Sequence, residues 1–99
     1  MAITKDEKKI LKGKSHHLKP IAIAGKEGLS EAFVASVKDA ITARELIKVK
    51  FLEASGLDKK EASTKLAEIL GAEVVDVIGF SISLYKFNEN AKKHVLEIE

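Results

Sequence analysis

The four residues Gly25-Lys26-Glu27-Gly28 carry the clearest chemistry in this sequence, because their types suit close contact with phosphate groups. Glycines lack a Cβ, so the chain can turn sharply there and approach a ligand closely. A helix predicted to begin just after Gly28 would present unpaired N–H groups and the positive end of its dipole. Lys26 adds a mobile positive charge. Alone, the pattern is weak, because most short glycine turns only connect two elements.

This loop does not have the form of a nucleotide-binding loop. It lacks the G-x-G-x-x-G of dinucleotide sites, and it does not end in Gly-Lys-Ser/Thr as a P-loop does. A G-x-x-G loop is the form with which KH domains clamp a nucleic-acid backbone. We therefore expect contact with a sugar-phosphate chain and no nucleotide hydrolysis.

Positive charge is concentrated around the loop. The whole sequence has a net charge of only +2, which by itself does not indicate a polyanionic partner. Residues 1–28 hold seven lysines against three acidic residues, whereas residues 29–99 hold ten basic residues against twelve acidic ones. Such asymmetry is typical of nucleic-acid-binding proteins. The alternative is that a lysine-rich first helix only keeps one surface solvated.

Two further pairs of residues each have two interpretations. Lys48 and Lys50 alternate with apolar residues and share one strand face, so they either extend the basic surface or keep that face soluble. Phe80 and Tyr85 either stack on nucleobases or simply pack, and packing is the commoner role for such residues.

Residues for catalysis or metal binding are not arranged in a recognisable pattern. The chain has no cysteine, which excludes disulfides and thiolate ligands. His16 and His17 are adjacent and His94 is remote, so zinc-ligand spacing is absent. Ser30 suits a helix cap, and no acid/base pair of carboxylates stands out. We expect no metal, no cofactor, no small-molecule substrate and no enzymatic activity.

The elements that position these residues follow from apolar periodicity and caps. Their order is α-β-α-β-α-β-β, which predicts a single compact two-layer α/β domain with a four-stranded mixed sheet. The predicted helices run from a Thr4 cap to about Leu11–Gly13, from a Ser30 cap to about Ala43, and from an Asp58 cap to Leu70. The predicted strands are Ile21–Ala24, Leu46–Leu52, Val74–Ile78 and Ser81–Phe87.

The predicted domain spans residues 1–88, and residues 89–99 form a tail. That tail is either disordered or an added strand through Val95, Leu96 and Ile98. No apolar stretch reaches the roughly 20 residues of a membrane span, and charged residues follow the N-terminus at once. We therefore expect a soluble cytoplasmic protein without a membrane partner.

Several short motifs occur in an order and spacing shared by one protein family. They are Leu11-Lys12-Gly13, His17-Leu18-Lys19-Pro20, Gly25-Lys26-Glu27-Gly28-Leu29, Glu45-Leu46-Ile47-Lys48-Val49-Lys50, and Ile78-Gly79 followed by Leu84-Tyr85. This set resembles a CRM domain, named for chloroplast RNA splicing and ribosome maturation. The resemblance covers roughly residues 3 to 88 and is closest to the stand-alone bacterial YhbY-type members.

The resemblance implies a fold similar to the C-terminal domain of translation initiation factor three. It also implies binding to rRNA in precursors of the large ribosomal subunit, with the glycine loop near the RNA backbone and basic residues at phosphates. The positions that fit this role are Gly25, Lys26, Glu27, Gly28, Lys12, Lys14, His17, Lys19, Lys48, Lys50 and Lys86.

Two residues depart from the family pattern. Glu27 is an acid where members often carry a neutral residue, which weakens simple attraction of phosphate. Lys86 stands where arginine is common, which keeps the charge but loses bidentate geometry.

The hypothesis is therefore a monomeric, non-catalytic RNA-binding protein that assists assembly of the large ribosomal subunit. Few aromatic residues favour recognition of shape and backbone over reading of bases. The alternative is a protein-interaction module whose basic face binds an acidic surface of a ribosomal protein or assembly factor.

Overall fold

The computed structural model describes residues 3–91 and 94–96. Within them the helices and strands follow the predicted order, and a short 3₁₀ turn at Glu53–Ser55 is added. No helix in this part of the chain is both long enough and apolar enough to cross a bilayer. The helices are α1 (Lys5–Ser15), α2 (Glu31–Arg44) and α3 (Lys59–Leu70), and the strands are β1 (Ala22–Ala24), β2 (Leu46–Phe51), β3 (Glu73–Ile78) and β4 (Ser81–Tyr85).

The helix starts lie at the residues that capping logic predicts. Thr4 and Glu7 form a reciprocal capping box, with the Glu7 N–H donating to Thr4 Oγ1 at 3.1 Å. The Ser30 and Asp58 side chains cap α2 and α3 by accepting a hydrogen bond from the N–H three residues further on, without the reciprocal bond of a capping box. At the end of α3, Gly71 takes a left-handed conformation with φ of +68°, as a helix-terminating glycine often does.

The four strands form one mixed sheet in the order β1-β2-β4-β3. β1 pairs with β2 in parallel, whereas β4 is antiparallel to both β2 and β3. The returning strand of the final hairpin therefore inserts between β2 and β3. The predicted α/β architecture with a four-stranded mixed sheet is confirmed.

The main core lies between one face of this sheet and helices α2 and α3. Burying these apolar side chains is the dominant favourable contribution to folding. The cluster consists of Ala24, Val37, Ile41, Ile47, Val49, Phe51, Ala62, Leu66, Ala67, Leu70, Ile82 and Leu84.

Helix α1 packs on the opposite face of the sheet, and it covers one end only. Leu11 is fully buried there against Leu46, Val75 and Tyr85. This contact explains how a helix with a narrow apolar stripe stays docked. The remainder of this face, which we call the open face, carries the side chains of Lys48 and Lys50 because side chains alternate along a strand.

The connection between α1 and β1 crosses the open face. At its start, His16 Nε2 lies 3.6 Å from Asp76 Oδ2 on β3. At its end, the Ile21 N–H donates to the Lys48 carbonyl of β2 at 2.8 Å. The chain thus runs across this face from β3 to β2 before β1 begins.

The described part of the tail contacts the domain. Turns occur at residues 89–90 and 95–96, and no described residue of the tail is in a strand. Val95 and Leu96 pack against the cluster beneath α1. Ile98, which belongs to the added strand in one of the two predicted alternatives for the tail, lies outside the described residues.

Candidate nucleic-acid interface

The glycine loop is a tight turn between β1 and α2. The Gly28 N–H donates to the Gly25 carbonyl at 2.9 Å, and Gly28 has a φ of +64°. Gly28 is buried, and a Cβ added to it would lie 3.7 Å from Leu57 Cδ2. Lys26 and Glu27 are exposed between the two glycines. Gly28 therefore anchors the turn inside the domain, whereas the side chains of Lys26 and Glu27 extend into solvent.

The start of α2 follows the loop closely enough for both to contact one phosphate group. Ser30 Oγ accepts a hydrogen bond from the Phe33 N–H at 3.2 Å and so fixes the beginning of the helix. The first turn of a helix favours anions, but Glu31 lies in it and Glu27 precedes it. Attraction of phosphate therefore depends on Lys26 and on close approach to the backbone.

Two shallow hollows lie on either side of the loop. One, of about 370 Å³, is lined by Ile23, Ser30 and Phe33 as well as the loop. The other, of about 430 Å³, reaches Leu57 and Lys65. Loop residues 26–28 line both, so the loop is accessible from two sides.

The strand lysines continue from the loop along the open face. Lys50 pairs with Ile23, only two residues before Gly25, and is exposed. Lys48 lies one repeat further along the same face, roughly 7 Å away by strand geometry, and is half-buried. The structure thus brings Lys48 and Lys50 into line with the loop.

The basic residues of α1 and of the crossing connection border the same face. Lys12 and Lys14 occupy the last turn of α1, and His17 and Lys19 follow in the connection. All four side chains are exposed. Of these four residues, Lys19 is the closest along the chain to Ile21, whose N–H donates to the Lys48 carbonyl.

Lys86 lies apart from these residues. It follows the end of β4, whereas Lys50 pairs with Ser81 at the start of that strand, roughly 17 Å away by strand geometry. Its Nζ is near Gly71 at the end of α3, and it borders a hollow of about 690 Å³ beside α1 and the tail. A ligand that spans the loop and the strand lysines does not reach Lys86 along the same line.

Tyr85 and Phe80, for which the sequence allows either stacking on nucleobases or packing, differ in their exposure. Tyr85 is only 5% exposed and packs beneath α1. Burial, with the nearby charges of Glu45 and Glu7, raises the pKa of Tyr85. Phe80 is 44% exposed in the β3–β4 turn, with Lys59 Nζ 4.7 Å from its ring centroid. Of these two rings, a ligand can reach only that of Phe80.

Glu45 is an important buried residue that sequence reasoning missed. It is 1% exposed with a φ of +65°, and its carboxylate accepts hydrogen bonds from the N–H groups of Asn88 and Val95, both at 2.8 Å. His94 Nδ1 lies 2.8 Å from Glu45 Oε2. Burial acts to raise the pKa of Glu45, but these hydrogen bonds and the charge of His94 outweigh it and hold the pKa below its usual value. A lone glutamate between a helix and a strand gives no sequence signal of such burial.

The histidines do not converge on a metal site. His16 faces Asp76 on β3, and His94 contacts Glu45 and stacks on Phe87 with ring centroids 4.6 Å apart. Across residues 3–91 and 94–96, no group of three or more histidine and carboxylate side chains is placed to hold a metal ion.

Comparisons with known proteins agree with the motifs. The family model for the CRS1/YhbY (CRM) domain matches residues 3–86. A probable RNA-binding protein of Methanocaldococcus jannaschii is 42% identical over 95 residues, which cover 94% of this chain and 70% of that protein. The probable RNA-binding protein YqeI of Bacillus subtilis is 35% identical over 91 residues, covering 92% of this chain and 95% of the relative.

A solved structure has the same fold. It is the solution structure of a Staphylococcus aureus protein described as a candidate RNA-binding protein, and it superimposes with a TM-score of 0.78. The two chains are 36% identical, and the match covers 92% of this chain and 96% of the other.

Proposed function

The chain belongs to the CRS1/YhbY (CRM) domain family, and on that premise we propose that it is a non-catalytic RNA-binding protein. Its proposed partner is rRNA in precursors of the large ribosomal subunit, and its proposed role is to assist their assembly as a monomer in the cytoplasm. The relatives named as RNA-binding proteins support the first part of this proposal. The family resemblance of the motifs supports the second.

The observation that carries the proposal is the geometry of the glycine loop. Its tight turn is fixed by the buried Gly28, and it presents the exposed Lys26 directly before the start of α2. A sugar-phosphate backbone can approach such a turn closely, because the glycines place no side chain in its path.

The proposed mechanism is mainly electrostatic. Lys26 contacts one phosphate, and Lys50, Lys48 and Lys19 lie along the open face for the next ones. Each lysine that neutralises a phosphate releases a condensed counterion, so binding weakens as salt rises. Contacts of this kind fix the position of the RNA and do not read its sequence.

Replacing Lys26 with glutamate tests the loop. The Lys26→Glu variant should bind rRNA fragments more weakly, and the slope of log affinity against log salt should fall by about 1 for the lost phosphate contact. Fluorescence anisotropy over a salt series measures both quantities. The matched control is Lys38→Glu, an equal charge change at an exposed position of α2 roughly 12 Å further along the helix. A Lys26→Glu variant that keeps the affinity and salt slope of the wild type would exclude the loop as the contact.

A second experiment tests the class of partner. Crosslinking the protein in cells and sequencing the attached RNA should recover rRNA of the large subunit. Nuclease treatment of a lysate distinguishes this proposal from the alternative, in which the basic face binds an acidic protein surface. Under the proposal, co-sedimentation with precursor particles is lost on RNA digestion; survival of that association would support the protein-interaction module.

A further inference from the structure

Exposed apolar side chains are grouped beside the glycine loop on the open face. Ile23, Lys50, Ser81 and Ile78 pair in register across the four strands, and we call them the loop-side row. Ile23 is 56% exposed and Ile78 is 55% exposed. Strand spacing places these two isoleucines roughly 14 Å apart, with the Lys50 side chain between them. Single exposed apolar side chains are ordinary, whereas a group of them beside a charged loop is typical of an interaction surface.

One more apolar residue extends this surface. Leu52 follows β2 on the same face as Lys50, is 41% exposed, and lies against Gly25, where an added Cβ would be 3.9 Å from Leu52 Cδ1. Phe80, in the adjoining β3–β4 turn, is not part of this surface, because its ring lies toward α3 with Lys59 Nζ 4.7 Å from the ring centroid. The loop, Leu52 and the loop-side row are therefore continuous.

The charges on this face favour a polyanion. Among the described residues, neither Lys48 nor Lys50 has an ion-pair partner within 4 Å. The acid that shares the face, Asp76, is turned toward His16. Positive charge thus alternates with apolar surface, which matches the alternation of phosphates and bases along a nucleic-acid strand.

We propose that the loop-side row, with Leu52, binds the bases of an unpaired RNA segment whose backbone lies on Lys26 and Lys50. This inference rests on the proposed RNA binding and specifies the class of RNA. In a duplex the base faces are stacked inside the helix, so apolar side chains on a sheet reach them only where the bases are splayed out. The glycine loop then positions the RNA backbone, and the loop-side row favours unpaired RNA over duplex RNA.

The experiment compares one short labelled RNA as a single strand and annealed to its complement. The wild type should bind the single strand more tightly than the duplex. The double variant Ile23→Thr/Ile78→Thr keeps β-branched side chains in the strands and should lose roughly tenfold in single-strand affinity, with Leu52→Thr giving a loss in the same direction. Duplex affinity and the salt slope should stay unchanged, because the lysines remain.

Ile69→Thr is the matched control, since it makes the same change at a helical residue that is 51% exposed on α3. It should leave both affinities unchanged, and circular dichroism spectra should show that every variant is folded. Equal single-strand affinity in the wild type and the double variant would overturn the inference. A wild type that prefers the duplex would overturn it as well.

The outcomes also separate this inference from the proposed function. If the wild type binds neither form of RNA, RNA binding itself fails. If RNA binding is sensitive to Lys26→Glu but indifferent to the double variant, only the assignment of the row fails. If the double variant keeps its RNA affinity but loses a nuclease-resistant association with ribosomal particles, the row is a protein-binding surface and the inference is wrong.

Discussion

At the scale of single residues, the shape of the glycine loop depends most on Gly28. Its φ of +64° lies in the left-handed region, where a side chain clashes with the backbone. Steric crowding by neighbouring residues does not exclude a side chain at this position, because an added Cβ would meet Leu57 at the ordinary contact distance of 3.7 Å. The requirement for glycine at this position is therefore conformational.

Replacing Gly28 with alanine should lower the free energy of unfolding by about 1–2 kcal/mol, the cost of a left-handed residue with a side chain. Gly13→Ala is the control, because Gly13 lies inside α1 with nothing within 4 Å of an added Cβ. That change should raise the free energy of unfolding by about 0.5–1 kcal/mol. Urea denaturation measures both, and a neutral Gly28→Ala would show that the loop tolerates another backbone conformation.

The sequence predicts this loop correctly as a turn between a strand and a helix, but it does not show which glycine is conformationally required. Both Gly25 and Gly28 fit the pattern, and only Gly28 has a positive φ. The burial of Glu45 is likewise invisible in sequence, because its partners Asn88, His94 and Val95 are more than 40 positions away.

At the scale of elements, α1 shows how a single buried side chain can dock a helix. The sequence predicts the helix and its cap, and apolar residues form only a thin stripe along it. Leu11 nevertheless has no exposed area, and Ser15 at the helix end is buried with its Oγ donating to the Lys12 carbonyl at 2.8 Å. These contacts accompany a helix that runs to Ser15, beyond the predicted end near Gly13.

The Leu11→Ala variant should lose about 2–5 kcal/mol of stability, as large-to-small changes in a core do. Because Leu11 is the fully buried contact of α1 with the sheet, hydrogen exchange should accelerate in α1 more than in β2 and β4. Ile10→Ala, at a partly exposed position of the same helix, is the control and should cost less. Uniform acceleration over all elements would mean that α1 and the sheet unfold only together.

The strand order illustrates a second limit of sequence reasoning at this scale. The hairpin from Val74 to Phe87 is predictable from its turn at Gly79 and Phe80. Insertion of β4 between β2 and β3 follows from long-range pairing, such as Lys48 with Ser83, which local periodicity does not encode. The irregular register between Val74 and Asp76 lies within the β3–β4 hairpin, and local periodicity does not predict it either.

At the scale of the whole molecule, Glu45 joins segments that are distant in the chain. Its N–H donates to Ile41 of α2, its carbonyl accepts from Lys86 after β4, and its carboxylate holds Asn88, His94 and Val95. This residue therefore fastens the described tail to the end of the domain opposite the glycine loop. The tail and the proposed RNA-binding surface are separated by the length of the sheet.

This arrangement makes stability depend on acid pH in a defined direction. Burial opposes ionisation, but the hydrogen bonds to Glu45 prevail and lower its pKa in the folded state below the ordinary value of 4.5. A group with a lowered folded-state pKa stabilises the protein above its unfolded pKa, and this contribution is lost as pH falls through the folded-state value. The Glu45→Gln variant, whose amide nitrogen donates where the carboxylate accepted, should be less stable than the wild type at neutral pH. The difference should shrink as the pH falls below 4.5. Urea denaturation over this range measures it, with the exposed Glu68→Gln as control, and a difference that stays constant with pH would contradict the role of the charged carboxylate.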